Sequence, residues 1–466
     1  MPHYLKVLMK TKQFLLILIF CLSLGLVNCW PSSPPPSVTD PTTTQPITIW
    51  WTRGFYPAED EALSRVVRQW ERQINHPVEL TFYDDDENLQ RVLNALDEGN
   101  PPDIAYNRRT EFAVNPRVAW EGKVPDLSDV IQPVENLYTE SAVKSAYLPN
   151  KTTGERSYYA VPLQQQTVHL HYWRDLLEEA GFTPEDIPEN WDKFWAFWQQ
   201  AQDNLRAKGY EDIYGVGLTV SPVSNDTFYE FEHFLEAYDV SLLDSEGNPR
   251  VNDPPLRESL VRLIDWIVGF YRQGYIHPDA VNWGVPDNNI AFLNRQLLMV
   301  FNPTLSIPGS QQTDPEVAQN IVTHPLPNEP DGEPAKTLIS VKQVLTFTES
   351  PHPEAAKDFL RFLSTPENLS LYLQDSGGRY FPVMKPLLEE PFWSESTNPH
   401  IAVAAEQFKE VRPLEYITSP PYSQIFAENL WGKALRRVTV DRVSATVAVE
   451  ETLARIEEIF AEWGDS

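Results

Sequence analysis

Short apolar runs alternate with amphipathic segments near the start of the chain, and this alternation constrains the fold more than any other feature. We predict strands at 47–51, at 78–83 and within 99–106, and helices at 61–74 and 88–98. Parallel strands need crossover connections of about this length, whereas antiparallel strands can be joined by a tight turn. The β-α-β-α-β order therefore predicts an α/β fold built on a parallel sheet.

The middle of the chain, residues 158–198, predicts a further piece of an α/β layer. Polar and apolar side chains alternate at 167–172, the period of a strand. A helix is predicted at 173–180, because apolar residues recur there at helical spacing, and Gly181 fits its C-terminal cap. A second helix begins at Asn190, which suits an N-cap, and its apolar face is rich in aromatic residues.

The second half of the chain continues the mixed pattern. Alternation and apolar content predict a strand at 210–220 and either a strand pair or a return crossing at 337–348. Helical spacing predicts helices at 227–238, 256–273 and 353–364. A last set of apolar positions predicts further helices up to the end of the chain.

Length and charge limit the classes of function. The 466 residues suffice for two to three domains. There are 37 Lys and Arg against 66 Asp and Glu, a net charge of −29. Nucleic-acid binding depends on basic side chains at phosphates, so this charge argues against it and against anionic membrane surfaces. Core packing accounts for most of the 14 Trp, although aromatic rings also form sugar-stacking walls.

The start of the sequence has the pattern of an export signal. Three lysines precede an apolar run at 14–27 that is too short for a stop-transfer helix. The run ends in the letters LVNC, which resemble a lipobox, although Asn28 replaces the small residue preferred there. We therefore expect a lipoprotein signal peptide at 1–28, lipidation of Cys29 and a Pro/Ser/Thr-rich tether at 29–46. The alternative is an uncleaved N-terminal anchor.

Several short motifs occur in the order seen in the family 1 extracellular solute-binding proteins of ABC importers, and the chain resembles that family over residues 47–464. The motifs are GNPPDIAY (99–106), YYAVPL (158–163), HYWRDLLEEAG (171–181), NWDKF (190–194), FLNRQLLM (292–299), PEAAKDFLRFLS (353–364) and GGRYFPV (377–383). Four positions depart from the pattern: Trp173 replaces Asn, Lys193 replaces the Glu of a capping box, the Gly expected within 292–299 is missing, and Leu305 stands about where many members have a ligand-stacking Trp.

The resemblance implies a type II periplasmic-binding-protein-like α/β fold with two discontinuous lobes joined by a hinge. The first lobe would comprise 47–160 and 345–405, and the second 161–340 and 406–464. It also implies a monomer without cofactor or catalytic activity. Such a protein would hold a small-molecule ligand between its lobes and present the closed form to an ABC permease. It would work in the periplasm or on the outer face of the cytoplasmic membrane, held there by a lipid anchor.

The resemblance also places side chains in the cleft between the lobes. A carbohydrate site combines aromatic faces with polar groups that bond hydroxyls. The matched positions are Trp51, Asp103, Tyr106, Gln165, Trp283, Asn302, Arg379, Tyr380 and Tyr422. Neighbouring strand residues face opposite ways, so we expect Trp50 in the core and Trp51 in the cleft. Core packing of the aromatic residues and a structural ion pair at Arg379 are the alternatives.

A sugar or oligosaccharide is the expected ligand, with a polyamine, a phosphorylated polyol or a metal such as iron left open. The sequence contains no nucleophile elbow, phosphate-binding loop or H-E-x-x-H motif. His169 and His171 are spaced like a metal pair, but without a third ligand we expect hydrogen-bonded core histidines and no metal site. A glycan-processing envelope hydrolase with facing carboxylates, or a scaffold or sensor lipoprotein, remains an alternative function.

Overall fold

The computed structural model describes residues 45–414 and 419–464. The predicted signal peptide, Cys29 and all but the last two residues of the predicted tether lie outside these described residues. No helix in the described ranges is long and apolar enough to cross a membrane.

The first elements follow the predicted order. They are β1 (Ile47–Thr52), α1 (Pro57–Ile74), β2 (Val78–Tyr83), α2 (Asp85–Asp97) and β3 (Ile104–Tyr106). β1 pairs in parallel with both β2 and β3, which confirms the predicted parallel sheet. The helix α1 begins at Pro57 rather than at the predicted residue 61, because proline fits the first turn of a helix.

Short helices and a hairpin follow β3. They are a π-helical turn (Thr110–Val114), α3 (Asn115–Trp120), α4 (Ser128–Ile131), a 3-10 helix (Gln132–Leu137), α5 (Glu140–Ala146), β4 (Tyr147–Asn150) and β5 (Glu155–Tyr158). β4 and β5 pair only with each other, in an antiparallel two-stranded sheet.

The middle of the chain builds a second layer. It contains β6 (Val161–Gln166), β7 (His169–Trp173), α6 (Arg174–Glu179), a 3-10 helix (Pro184–Asp186), α7 (Trp191–Ala207), α8 (Asn225–Ala237), α9 (Pro254–Arg272), a 3-10 helix (Pro278–Val281), α10 (Asp287–Leu293), β8 (Met299–Asn302), α11 (Ser306–Ser310), α12 (Pro315–Ala318) and β9 (Ile321–His324).

The remaining elements return to the first sheet and then end in helices. They are β10 (Thr337–Thr346), α13 (Pro353–Leu363), α14 (Pro366–Asp375), α15 (Lys385–Leu388), α16 (Pro391–Ser394), α17 (Pro399–Gln407), β11 (Val411–Pro413), α18 (Pro420–Ala427), α19 (Leu430–Thr439) and α20 (Ala445–Gly464).

Two larger sheets organise these elements. The first sheet has the order β11-β10-β3-β1-β2, and β6 also pairs with β10. β10 is antiparallel to both β3 and β6. The second sheet has the order β8-β7-β9 and is antiparallel. The chain thus passes from the first sheet to the second between Gln166 and His169 and returns between His324 and Thr337. The lobe boundaries themselves stay a prediction.

The apolar face of α1 shows how the helices cover the first sheet. Leu63, Val66, Val67 and Trp70 are all buried, as their helical spacing predicts. The Trp70 indole Nε1 donates a hydrogen bond to Asp358 Oδ2 on α13 at 2.8 Å. A residue near the amino end of the folded region is thereby fixed to a helix contributed from much later in the chain.

The prediction of a strand at 210–220 is wrong, because the described segment forms no strand there. Its two glycines instead lie tightly against neighbouring backbone. A Cβ at Gly215 would lie 2.3 Å from the Trp198 carbonyl oxygen, and one at Gly217 would lie 2.1 Å from that of Met299. The glycines therefore serve close packing against α7 and β8 rather than a regular strand.

The predicted helix start at Trp173 is also wrong by one residue. Trp173 is the last residue of β7, its amide donates to the Leu298 carbonyl at 3.1 Å, and it pairs with Ile321 of β9. The helix α6 therefore begins at Arg174, because strand pairing on both sides keeps Trp173 extended.

Candidate functional site

A cleft lined largely by polar and charged residues lies where the connections of the two sheets meet. From the first sheet it receives Phe55, in the loop after β1, and Lys342 on β10. From the second layer it receives Asn302 at the end of β8 and Asp226 at the start of α8. Loops beyond strand ends are the usual position of ligand sites in α/β proteins.

Arg379 joins the two sides of the cleft. Its Nη1 donates to both carboxylate oxygens of Glu59 at 3.1 and 3.0 Å, and its Nε donates to Thr304 Oγ1 at 3.3 Å. The guanidinium carbon lies 4.1 Å from the ring centroid of Phe55 and 4.7 Å from that of Tyr380. Burial alone would lower the pKa of Arg379, but Glu59 raises it above its ordinary value, so the group stays charged.

Lys342 forms a second charged cluster beside the cleft. Its Nζ donates to Glu111 Oε1 at 2.5 Å, to the Arg108 carbonyl at 2.8 Å and to the Tyr229 hydroxyl at 3.2 Å. Glu111 also accepts from Ser340 Oγ at 3.0 Å. Burial lowers the pKa of Lys342 and raises that of Glu111, so each group depends on the other to remain charged.

A chain of neutral polar groups follows the end of β8. Asn302 Nδ2 donates to Asn289 Oδ1, and Asn302 Oδ1 accepts from the Thr304 amide at 3.1 Å and Ser306 Oγ at 3.2 Å. Asn289 Nδ2 also donates to Ser306 Oγ at 2.9 Å. All four residues line the cleft. The mutual bonds hold these side chains in fixed positions.

Asp226 supplies an acid from the first turn of α8. Its Oδ2 accepts a hydrogen bond from Asn288 Nδ2 at 2.7 Å, and the side chain is buried. Burial raises the pKa of Asp226 to about 7, although the Asn288 hydrogen bond acts in the opposite direction. This carboxyl group can thus change charge near neutral pH.

Three of the nine predicted site residues, Asn302, Arg379 and Tyr380, line this cleft. Trp51 and Tyr106 line a smaller adjoining pocket of about 260 Å³, and Tyr380 contributes to both. The rings of Trp51 and Tyr106 are stacked, with centroids 4.5 Å apart. The Tyr106 hydroxyl accepts from Gln164 Nε2 at 3.0 Å.

The two neighbouring tryptophans have the reverse of the expected burial. Trp51 is 3% exposed and packs edge-on against Tyr372 of α14. Trp50 is only partly buried and lies edge-on against Tyr83 of β2, with centroids 5.8 Å apart. The register explains this, because Trp51 shares its strand face with the buried Ile49.

Asp103 lies at the amino end of β3 and does not line the cleft. Its carboxylate accepts from the Thr48 amide at 2.8 Å, from Ser350 Oγ at 2.6 Å and from the His352 amide at 2.8 Å. These hydrogen bonds outweigh burial, which would raise its pKa, and lower the pKa below the usual range. In this structure Asp103 joins β1 and β3 to the chain after β10.

Gln165, Trp283 and Tyr422 also lie outside the cleft lining. Gln165 Nε2 donates to the Pro382 carbonyl at 2.8 Å, so it fixes the loop that carries Arg379. Trp283 is buried two residues before the cleft residue Val285. The Tyr422 hydroxyl donates to Glu232 Oε1 at 2.7 Å, and both residues line a separate pocket of about 570 Å³.

The two histidines considered as a metal pair have neutral hydrogen-bond partners. His169 Nδ1 lies 2.6 Å from Gln407 Oε1, and His171 Nδ1 lies 2.9 Å from Thr323 Oγ1. Both rings are buried, as expected for core histidines. Over residues 45–414 and 419–464 no three His, Cys, Asp or Glu side chains are grouped so that they could hold a metal ion.

The fold is an α/β architecture of two sheets with a polar cleft where their connections meet, and comparison with known proteins identifies its family. The family described as bacterial extracellular solute-binding protein matches residues 66–402, which is more than half of the chain. The chain belongs to this family of solute-binding proteins associated with ABC transporters, whose members are not enzymes.

Individual relatives are distant in sequence but cover nearly the whole chain. The arabinooligosaccharide-binding protein of Halalkalibacterium halodurans is 21% identical over 426 residues, which is 87% of this chain and 88% of that protein. An ABC transporter solute-binding protein from Thermotoga lettingae, solved with α-D-tagatose, is 18% identical and has a TM-score of 0.71 over 89% of this chain and 100% of its own.

The maltose-bound MalE3 of T. maritima is also 18% identical and has a TM-score of 0.70 over 88% of this chain and 99% of its own. At this identity the solved structures show the fold alone. They confirm the predicted periplasmic-binding-protein-like α/β fold.

Proposed function

We propose that this protein captures a sugar or short oligosaccharide in the cleft and delivers it to an ABC permease. The observation that carries the proposal is the lining of the cleft, where polar groups from both sheets converge. A ligand held there would contact both sides at once and favour the form in which they are close together. The sugars named for the relatives support the same class of ligand.

Gln166 provides a direct test of this proposal. It lines the cleft at the end of β6, and within the described residues its side-chain amide has no hydrogen-bond partner. Such an amide is available to bond sugar hydroxyls. Gln166→Ala should weaken sugar binding by about tenfold, since one lost hydrogen bond is worth about 1 kcal/mol or more, and should leave the melting temperature nearly unchanged.

Calorimetry with a panel of arabinooligosaccharides, maltose, laminaribiose and tagatose measures this effect. Gln200→Ala is the matched control, because Gln200 is exposed on α7 and bonds only Asn204 among the described residues. A phosphorylated polyol and a ferric chelate complete the panel. If one of these two compounds binds and none of the sugars does, the assignment of a sugar ligand is contradicted. If Gln166→Ala binds sugar with unchanged affinity, the assignment of the binding site to this cleft is contradicted.

We further propose that Cys29 is lipidated and anchors the protein on the outer face of the cytoplasmic membrane. The support is the sequence pattern alone, a basic start and an apolar run ending in LVNC. Cys29→Ser should remove labelling by a fatty-acid probe and either release the protein or leave it unprocessed. Unchanged lipid labelling of that variant would overturn the anchor and leave the binding function standing.

A further inference from the structure

The charged side chains that line the cleft are matched in pairs, with one exception. Each cleft cation has a carboxylate within ion-pair distance. The pairs are Arg108 with Asp85 at 3.2 Å, Lys342 with Glu111 at 2.5 Å and Arg379 with Glu59 at 3.0 Å. The remaining charged lining residue is Asp226, which has no ion-pair partner within the described residues.

The one hydrogen bond of Asp226 comes from a neutral group whose orientation is fixed. Asn288 Nδ2 donates to Asp226 Oδ2 at 2.7 Å and also to the Phe301 carbonyl at 3.3 Å. A carbonyl can only accept, so the nitrogen of Asn288, and not its oxygen, faces Asp226. The carboxylate therefore receives a hydrogen bond but no compensating charge from this contact.

Because Asp226 is buried, a carboxylate without a paired positive charge destabilises the ligand-free protein. Asp226 is 4% exposed, and an unpaired buried carboxylate is strongly disfavoured. Glu230, one turn further on α8, is also buried, and burial together with the neighbouring Asp226 raises its pKa well above the ordinary value, so it offers Asp226 no compensating charge. Lys342 on β10 and Arg379 in the loop after α14 attract Asp226, but each is bound to its own carboxylate.

Three aromatic rings line the cleft, and each already has a cation near it. Phe55 has the Arg108 guanidinium 4.8 Å from its ring centroid and the Arg379 guanidinium at 4.1 Å. Lys342 Nζ lies 5.6 Å from the ring centroid of Tyr229, and the Arg379 guanidinium lies 4.7 Å from that of Tyr380. Neighbouring polar groups remain available, since the side chains of Gln166 and Asn225 line the cleft without a hydrogen-bond partner among the described residues. Recognition here is thus by hydrogen bonds and charge.

We propose that the ligand is an amino sugar whose ammonium group pairs with Asp226, while its hydroxyls bond the neutral polar groups around it. This inference rests on the proposed sugar-binding function and narrows its ligand class. A ligand ammonium would supply the charge that the protein itself does not place at Asp226, and a charge-assisted hydrogen bond is about twice as strong as a neutral one.

Matched sugar pairs test the inference by calorimetry on the whole protein. Glucosamine with glucose, galactosamine with galactose, and the chitosan disaccharide with cellobiose each differ in the presence of an amine. At pH 7.5 the amino member should bind on the order of tenfold tighter or more, as a charge-assisted contact requires. That preference should shrink at pH 5.5, because Asp226 becomes neutral while the sugar amine becomes more fully charged.

Asp226→Asn should abolish the preference for the amino member, and the circular dichroism spectrum and melting temperature of the variant show that it is folded. Asp192→Asn is the control, because it removes the same charge from an exposed position in the first turn of α7 and should keep the preference. A preference retained in Asp226→Asn, or equal affinity for both members of each pair, would overturn the inference.

The set of sugars distinguishes an error in the amino-sugar inference from an error in the proposed sugar-binding function. Tighter binding of the neutral sugars would leave the sugar-binding function intact and overturn only the amine. No binding of any sugar in the pairs or in the oligosaccharide panel would contradict the function and the inference together. Putrescine, a diamine without a sugar ring, is titrated in the same way. If putrescine binds and no amino sugar does, the assignment of the ligand to an amino sugar is overturned.

Discussion

Trp50 and Trp51 are neighbours on β1, and the register of the strand determines which of the two side chains is buried. Trp51 lies between Tyr106 and Tyr372 in the layer that joins the first sheet to α14. Trp50 points to the other face of β1, where Tyr83 covers only part of its ring. Trp51 is therefore the core residue of the pair and at the same time lines the small pocket beside the cleft.

Trp51→Ala should lower the free energy of unfolding by roughly 3–5 kcal/mol, the usual cost of removing a buried tryptophan. Trp50→Ala should cost clearly less, because part of its ring is already in contact with solvent. Urea unfolding of both variants, followed by circular dichroism, measures the difference. Equal losses in the two variants would show that the register described for β1 does not determine the burial of these side chains.

The residues of the cleft were only partly predictable, and the physical reasons differ. Arg379 lies in the motif GGRYFPV, and Asn302 lies three residues after the motif FLNRQLLM, so the resemblance to the family pointed to both residues. In the sequence, Asp226 cannot be distinguished from any other acid in the first turn of a helix, where a negative charge interacts favourably with the helix dipole. Lys342 interrupts an apolar strand, a pattern that signals a buried charge but does not reveal its partner, Glu111, because their contact is made by folding alone.

At the scale of elements, β7 and α17 are joined by histidines that the fold keeps neutral. His169 on β7 contacts Gln407 of α17, and His171 on β7 shares Thr323 with His400 of α17. Burial lowers the pKa of His169 and of His400 to about 4. Protonation of these rings would place charges in an interface that offers neutral partners.

Protonation of these buried histidines should therefore cost stability as the pH falls. The pKa of unfolded histidine is about 6.5, so between there and pH 4 the unfolded chain binds protons that the folded one does not. Stability is lost as the pH falls through this window, by about 2 kcal/mol at pH 5 for a group such as His169.

Urea midpoints at pH 7 and pH 5 measure this loss. In His169→Gln the new side-chain amide can still bond Gln407. The stability lost between pH 7 and pH 5 should be smaller in this variant than in the unsubstituted chain. His76→Gln, at a half-buried histidine whose Nε2 bonds the Gln45 carbonyl, is the control and should not reduce it. A pH dependence identical in all three proteins would contradict the role of the buried ring.

Element prediction succeeded where periodicity alone determines structure. The β-α-β-α-β order at the start and the helix at 353–364 follow from apolar spacing that packing only reinforces. The segment 210–220 failed, because its glycines are placed by contacts with Trp198 and Met299. Local alternation carries no information on such distant backbone contacts.

At the scale of the whole molecule, few chain segments connect the two sheets. The chain crosses once after β6 and returns once before β10, and these two strands pair with each other. Movement of one sheet against the other would thus involve a small number of residues, which is the usual construction of a hinge. The predicted division into two lobes remains a proposal.

Small-angle scattering tests the hinge directly. A saturating ligand should reduce the radius of gyration, because a ligand that contacts both sides of the cleft favours the closed form. Arg379→Lys should increase the radius without ligand, since lysine cannot maintain the fork of contacts to Glu59 and Thr304. Scattering curves that coincide with and without ligand would instead indicate a rigid site.

The pairing of β10 with β3 also has a kinetic consequence. Ala105 of β3 lies opposite Leu345 of β10, although most of the chain separates them. During synthesis from the amino end, the outer edge of β3 has no partner until β10 has emerged. Non-local pairing of this kind slows folding and prolongs exposure of apolar strand edges. The nascent chain therefore stays open to chaperones and to translocation for most of its synthesis.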